Sequence, residues 1–186
     1  MKVNILRLFR NKNELQDDFP LEQFNALPGE KFAYPLFLSL EKKGVYAYSA
    51  RFMVKHEDIS VIEYLIELFF HGKIKIKEEK ENVVDHNKSL VCYKFKEFGQ
   101  DIIQIITNDN EFIKVLCEKG LEPPGPENVF PVKNFSHYGS LQGDIACWWN
   151  IYWEPFWESL SECGKKHYLG RSAFSVETIE FLEYRH

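Results

Sequence analysis

Cys163 and His167 lie four residues apart, so on a helix they would share one face and could ligate a metal ion or form a nucleophile–base pair. Cys147 and His137 lie upstream and would complete a set of four zinc ligands. No second pair has zinc-finger spacing, and no local nucleophile signature surrounds any cysteine. We therefore expect no bound metal, no cofactor and no Cys–His catalytic pair.

Sequence-local catalytic motifs of other kinds are missing from this chain. It contains no G-x-G-x-x-G, no Walker A loop, no G-x-S-x-G and no H-E-x-x-H. Glu154 and Glu158 have the spacing of a carboxylate pair, but a solvated helix edge has the same spacing. We expect a non-catalytic protein, and an active site dispersed along the sequence stays open as the alternative.

All four tryptophans lie within residues 148–157. Pro155 would bend or restart a helix there. The segment is either core, where each ring can remove about 150–250 Å² from water, or a partly exposed surface that binds a partner. Two rows of aromatic residues recur at four-residue spacing: Trp149, Trp153 and Trp157 in one, and Trp148, Tyr152 and Phe156 in the other.

Two adjacent rows cannot both face one shallow core. The spacing therefore predicts that Trp149 and Trp153 are buried and that any exposed aromatic side chain belongs to one of the other four positions. Together with the two nearby carboxylates, these positions form the candidate binding site: Trp148, Tyr152, Glu154, Phe156, Trp157 and Glu158.

Lysines alternate with apolar residues in 73–77 and again in 93–96. If strands at 73–80 and 90–98 pair, five lysines share one sheet face, which would suit phosphate or nucleic acid. A solvated face protected against strand addition explains the same pattern. The net charge of −5 favours the second interpretation, and we expect no nucleic-acid partner.

Charge and composition limit the possible partners and the cellular location of the protein. Residues 121–186 carry 5 Lys and Arg against 9 Asp and Glu, which suits a cationic partner. No apolar stretch approaches the 18 or so residues of a membrane span, and the N-terminus lacks a signal-peptide core. The 4 cysteines are expected to be reduced thiols of a cytoplasmic protein.

The length and patterning predict a single α+β domain over residues 1–186. We expect a small, mainly antiparallel sheet covered by helices in 1–120, an ordered Pro/Gly-rich loop in 121–143 and a Trp-rich helical layer in 144–186. Strands are predicted at 2–9, 45–55, 73–80 and 90–98, and helices at 61–71 and 109–119. Predicted caps are Ser60 with Glu63, Gly72, Gly120, Asp144, Ser161, Gly170 and Ser175.

The acidic, aromatic-rich and motif-free character resembles small bacterial cytoplasmic proteins of the immunity-protein type, which neutralise toxins. The stretch LQGDIACWWNIYWEPFW looks like a family signature. The resemblance implies a non-catalytic module whose partner is another protein. The alternative is a small-molecule-binding protein or an enzyme with a dispersed active site. The sequence does not determine the oligomeric state.

Overall fold

The computed structural model describes residues 12–28, 33–135 and 141–185. Its centre is a five-stranded antiparallel sheet of order β1-β2-β5-β4-β3. This is the α+β fold that the sequence predicts. The strands are β1 (Leu38–Ser39), β2 (Tyr48–Val54), β3 (Glu81–Asp85), β4 (Lys88–Glu97) and β5 (Gln100–Thr107).

Helices cover both faces of the sheet. The first three are α1 (Lys12–Asp18), α2 (Ile59–Phe70) and α3 (Asn110–Cys117), followed by the short α4 (Pro126–Val129). The C-terminal layer contains α5 (Gly143–Trp148), a π-helical turn (Trp149–Trp153), α6 (Glu154–Trp157), α7 (Glu162–Arg171) and α8 (Val176–Glu183). None of the described helices is long and apolar enough to span a membrane.

Side-chain alternation along the strands assigns the helices to faces. On one face, Leu15 and Phe19, in and just after α1, cluster with Val91 and Ile106, which are cross-strand partners. On the other face, α3 packs against Tyr48 through Ile113 and Cys117, the two buried residues that cluster with it.

The strand predictions hold in part. Those over 45–55 and 90–98 are confirmed as β2 and β4, whereas 2–9 lies outside the described residues. The strand predicted at 73–80 is wrong, because β4 pairs with β3 through a turn at His86 and Asn87. One backbone hydrogen bond connects the two segments that were expected to pair: the Lys94 N–H donates to the Lys77 carbonyl (2.7 Å).

The ends of α2 differ from the predicted ones. Ser60 lies inside the helix, and its hydroxyl donates to the Glu57 carbonyl instead of capping the helix. The Glu63 carboxylate accepts hydrogen bonds from Lys75 Nζ and the Ile76 amide. The left-handed C-terminal residue is His71 (φ 50°), not Gly72.

Most of the other helix ends follow local chemistry. The Ser161 and Ser175 hydroxyls accept N-terminal amides of α7 and α8, as expected, and Gly120 (φ 64°) follows α3 in the left-handed region. Two predictions are wrong. Asp144 lies in the first turn of α5 and does not cap it, and Gly170 lies within α7, which ends one residue later.

Candidate functional site

The tryptophan helix, the continuous run of α5, the π turn and α6, is core. Trp149 and Trp153 are buried, as predicted, but so are the four aromatic residues proposed for binding: Trp148, Tyr152, Phe156 and Trp157. These four side chains therefore do not form an exposed binding surface in this structure, and the core interpretation of the cluster is the one that the structure shows.

Neighbours on several sides of the tryptophan helix explain why both aromatic rows are buried. Tyr152 faces β2, where its hydroxyl meets Arg51. On other sides, Trp149 packs against Phe181 of α8 and Trp153 packs against Tyr168 of α7. The expectation of one shallow core failed because the helix lies between the sheet and the last two helices.

The π turn lies directly before Pro155 in this helix. A proline cannot donate to the carbonyl four residues earlier, and its ring clashes with that carbonyl. At the end of the turn Trp149–Trp153, the Glu154 amide donates to the Trp149 carbonyl, five residues back rather than four. Pro155 then occupies the first turn of α6, as its position in the sequence predicts.

Burial of the cluster leaves the indole N–H groups of Trp148, Trp153 and Trp157 without an acceptor among the described residues. Each such group costs about 1–3 kcal/mol. Removing about 150–250 Å² of ring surface from water returns about 4–6 kcal/mol at 25 cal/mol per Å². Apolar burial is therefore the larger effect, and the rings pack closely, with Trp148 and Trp153 centroids 5.3 Å apart.

The two carboxylates of the candidate site are exposed. Glu154 makes no ion pair with another described residue. A Glu158 carboxylate oxygen lies 3.5 Å from Nζ of Lys165. Lys165 is itself nearly buried; its Nζ also pairs with Glu162 and lies 5.4 Å from the Trp157 ring centroid. Glu158 therefore has a cationic partner and Glu154 has none among the described residues, and the exposure of both carboxylates fits a solvated helix edge.

A polar junction of Arg51, Glu97 and Tyr152 connects the sheet to the tryptophan helix. Arg51 donates from Nε to the Tyr152 hydroxyl (2.8 Å) and from Nη2 to Glu97 Oε2 (2.5 Å). Tyr152 in turn donates to Glu97. The guanidinium carbon lies 4.8 Å from the Phe95 ring centroid and 5.5 Å from that of Tyr152. Every charge in the junction therefore has a partner.

Potential nucleophiles in and near this junction are held in their protonated forms. Burial, followed by the hydrogen bond to Glu97, raises the pKa of Tyr152 far above its usual range. Burial and the charge of Glu97 also raise the pKa of the Cys147 thiol. At neutral pH neither group supplies the anion that attack requires. The junction is suited to holding two layers together rather than to nucleophilic chemistry.

Unlike the polar junction, the outer face of α8 is exposed to solvent. This α8 face consists of Val176, Glu177, Glu180, Glu183 and the adjoining Tyr184, all exposed. Val176 is 68% and Tyr184 81% exposed, so two apolar groups lie beside three carboxylates. None of the three carboxylates forms an ion pair with another described residue. The face is acidic, and part of its apolar surface is in water.

An imidazole pair lies at the end of α2. Nδ1 of His71 is 2.7 Å from Asp85 Oδ2, and Nδ1 of His86 is 2.5 Å from Asp85 Oδ1. The hydrogen bonds from His71 and then His86 hold the pKa of Asp85 below its usual range. The side chains of His71 and His86 are 81% and 93% exposed.

The other candidate sites from the sequence remain separate features. Cys163 and His167 are exposed on α7, and His137 lies outside the described residues. No group of three or more His, Cys, Asp and Glu side chains in the described ranges could hold a metal ion. The predicted sheet face of five lysines is not formed, because residues 73–77 are not a strand; Lys75, Lys77 and Lys96 each pair with a carboxylate.

Sequence spacing missed the polar junction because its members are far apart along the chain. It missed the imidazole pair because His71 lies fourteen residues before Asp85, and the adjacency of Asp85 and His86 does not by itself indicate a contact. The α8 face carried a signal that spacing could have found, since Glu177, Glu180 and Glu183 recur every third residue. Comparison with known proteins finds no family model, curated protein or solved structure that matches this chain.

Proposed function

We propose that this chain is a non-catalytic protein-binding module that docks a cationic protein through the α8 face. The observation that carries the proposal is Tyr184, 81% exposed beside three carboxylates that have no partner among the described residues. Tyrosine is enriched at interface hot spots because it buries a large surface at low entropic cost. Carboxylates around it would attract Lys and Arg groups of a partner.

Two of these three carboxylates are unfavourable for the helix, whereas Glu177 lies in its first turn, where the helix dipole favours negative charge. Glu180 and Glu183 lie near the C-terminus of α8, where the helix dipole disfavours negative charge, and the last turn has no basic residue. Like charges three or four residues apart cost about 0.2–0.5 kcal/mol per pair. An interaction outside the chain would explain why Glu180 and Glu183 occupy positions that oppose local helix stability.

A binding role also agrees with the state of the thiols. Burial raises the pKa of Cys92 and of Cys117 to about 12, so both stay protonated at neutral pH. An acidic binding surface on a protein of the immunity type would be complementary to a basic toxin such as a nuclease, and opposite charge accelerates encounter. We propose a toxin of this kind as the partner.

The test begins with a tagged wild-type chain, which is used to capture a partner that is then purified. Binding of that purified partner is measured for the variant Glu177→Gln, Glu180→Gln, Glu183→Gln. The control variant is Glu57→Gln, Glu67→Gln, Glu118→Gln, which changes the net charge equally at exposed carboxylates elsewhere. We expect the α8 variant to weaken binding at least tenfold and the control to change it less than twofold.

Two outcomes would contradict the proposal. Equal weakening by both variants would mean that net charge, and not the α8 face, drives binding. Failure to recover any protein partner, together with turnover of a small molecule in an activity screen, would favour an enzyme with a dispersed active site.

A further inference from the structure

Strand β3 (Glu81–Asp85) lies at an edge of the sheet, because it pairs with β4 on one side and with no described strand on the other. Asp85 and Lys88 are partners across a two-residue turn, so they form a hydrogen-bonded pair. Hydrogen-bonded and non-hydrogen-bonded pairs alternate along an antiparallel ladder. The N–H and C=O groups of Asn82 and Val84 therefore point away from β4, and these four groups form the β3 edge.

The β3 edge is open to solvent. Its four groups make no backbone hydrogen bond with any other described part of the chain. The side chains of Asn82 and Val84 are exposed, that of Val84 to 61%. Val83 points to the opposite face of the sheet, where it packs against the apolar core. The edge therefore offers two donors, two acceptors and one apolar side chain to a partner.

Natural edge strands are commonly protected against strand addition by short length, charged side chains, proline or a bulge. The opposite edge of this sheet is protected by length, because β1 (Leu38–Ser39) has two residues. β3 has five residues, contains neither lysine nor proline, and pairs with β4 without a bulge. Its charges are the carboxylates of Glu81 and Asp85 at its two ends. These charges select among incoming strands, because they repel some and attract others.

The carboxylates of Glu81 and Asp85 project from the same face of the sheet. Hydrogen bonds from His71 and then His86 hold the pKa of Asp85 below its usual range, so it is ionised at neutral pH. Glu81 Oε1 lies 3.7 Å from Lys77 Nζ, an exposed ion pair of a kind that contributes little. Full antiparallel pairing with β3 of a second copy would place Glu81 opposite Asp85, and like charges directly opposite are destabilising. A strand with Lys or Arg at both positions replaces this repulsion with attraction.

We propose that the β3 edge binds an extended, basic segment of a partner protein as a sixth, antiparallel strand. The segment has the pattern Lys/Arg-x-Val-x-Lys/Arg, with the first basic residue opposite Asp85, the valine opposite Val83 and the second basic residue opposite Glu81. Main-chain hydrogen bonds to Asn82 and Val84 give affinity, and the alternate side chains give specificity. This interface belongs to the sheet and the α8 face to the C-terminal layer, so either proposal can fail without the other.

The probe is a fluorescent synthetic peptide, acetylated and amidated, of sequence KTVTK, and its binding to the full chain is measured by fluorescence anisotropy. In the proposed register both threonines direct their N–H groups at the β3 edge, and the valine directs its N–H away. We expect N-methylation of both threonines to weaken binding at least tenfold and N-methylation of the valine to weaken it less than threefold. The peptide ETVTE should bind at least tenfold more weakly than KTVTK.

The variant Glu81→Lys tests charge and strand direction together, with the Tm as a check on folding. It should weaken binding of KTVTK at least tenfold. It should also prefer KTVTE to ETVTK, because antiparallel pairing places the last peptide residue opposite position 81. Glu57→Lys, at an exposed carboxylate at the start of α2, is the control and should change binding less than twofold. A preference for ETVTK would mean parallel pairing and would overturn the proposed register.

Amide hydrogen exchange measured by NMR locates the bound strand. The amides of Asn82 and Val84 should exchange fast in the free chain and slowly with KTVTK, whereas the Val83 amide, which faces β4, should change little. The proposal is overturned if KTVTK shows no saturable binding at millimolar concentration, if both N-methylated forms bind equally, or if these two amides gain no protection. A dimer in analytical ultracentrifugation that protects the same two amides would mean that a second copy occupies the edge, which also overturns it.

Discussion

Arg51 and Tyr152 are 101 residues apart in sequence, and the guanidinium Nε donates to the tyrosine hydroxyl over 2.8 Å. The contact joins β2 to the π turn of the tryptophan helix. Glu97 of β4 accepts from both side chains, so three distant parts of the chain meet in one polar junction. Each member is half-buried or buried, and loss of one leaves the others with unmet hydrogen-bonding capacity.

Tyr152→Phe removes the hydroxyl at the centre of the polar junction. We expect it to lower the free energy of unfolding by about 1–3 kcal/mol, because Arg51 and Glu97 each lose a hydrogen-bond partner where water has limited access. Urea denaturation measures the change. Tyr64→Phe, at an exposed tyrosine, is the control and should change stability by less than about 0.5 kcal/mol.

A double-mutant cycle of Tyr152→Phe and Glu97→Gln tests whether the polar junction is one unit. We expect a coupling energy of about 0.5–3 kcal/mol, the range for residues that share a hydrogen-bond network. Additive effects within about 0.3 kcal/mol would mean that the tyrosine and the carboxylate stabilise the fold independently.

Trp157→Ala separates a core role from an interface role for the tryptophan helix. The side chain is 1% exposed, so the substitution should cost about 3–5 kcal/mol of stability. Thermal or urea unfolding gives the value. Tyr184→Ala, at an 81% exposed ring, should leave stability nearly unchanged. A small effect of Trp157→Ala would contradict the packing described above.

Thiol reactivity should follow burial. In the native protein Cys163 is exposed and should react fastest with a thiol reagent, and the half-buried Cys147 should react more slowly. Cys92 and Cys117 are buried, with pKa raised to about 12, and should react only on unfolding. A time course with a chromogenic disulfide gives the native order, and denaturant should then expose four thiols.

Asp101 should contribute to stability at neutral pH and lose that contribution in acid. Burial raises its pKa, but hydrogen bonds from Lys96 and His56 outweigh burial and leave the pKa below its usual range. The native state therefore favours the carboxylate. Its contribution is present above the unfolded pKa, about 3.9, and disappears as the pH falls through the lower folded value.

The variant Asp101→Asn measures this contribution. We expect it to be less stable than wild type at pH 7, with the difference shrinking as the pH falls below about 4. Asp17→Asn, at an exposed aspartate without an ion pair to another described residue, is the control. A difference between wild type and Asp101→Asn that is constant from pH 7 to pH 2 would mean that the carboxylate charge is not responsible.

Features governed by interactions over a few residues could be predicted from the sequence. Alternation predicted β2 and β4, and serine hydroxyls predicted the starts of α7 and α8. The clustering of tryptophans indicated a large apolar surface, and Pro155 indicated an interrupted helix. These outcomes follow because strand alternation, capping and the missing proline N–H act within about one turn of chain.

Only the tertiary structure decided what each surface faces. Burial of both aromatic rows depended on α7, α8 and the sheet surrounding one helix, and the local pattern does not encode that arrangement. The left-handed residue at the end of α2 is His71 and not Gly72, and the His71 side chain contacts Asp85 of the β3–β4 hairpin. The polar junction and the imidazole pair form because packing and strand register bring residues from different elements within hydrogen-bonding distance. Sequence spacing alone does not predict those distances.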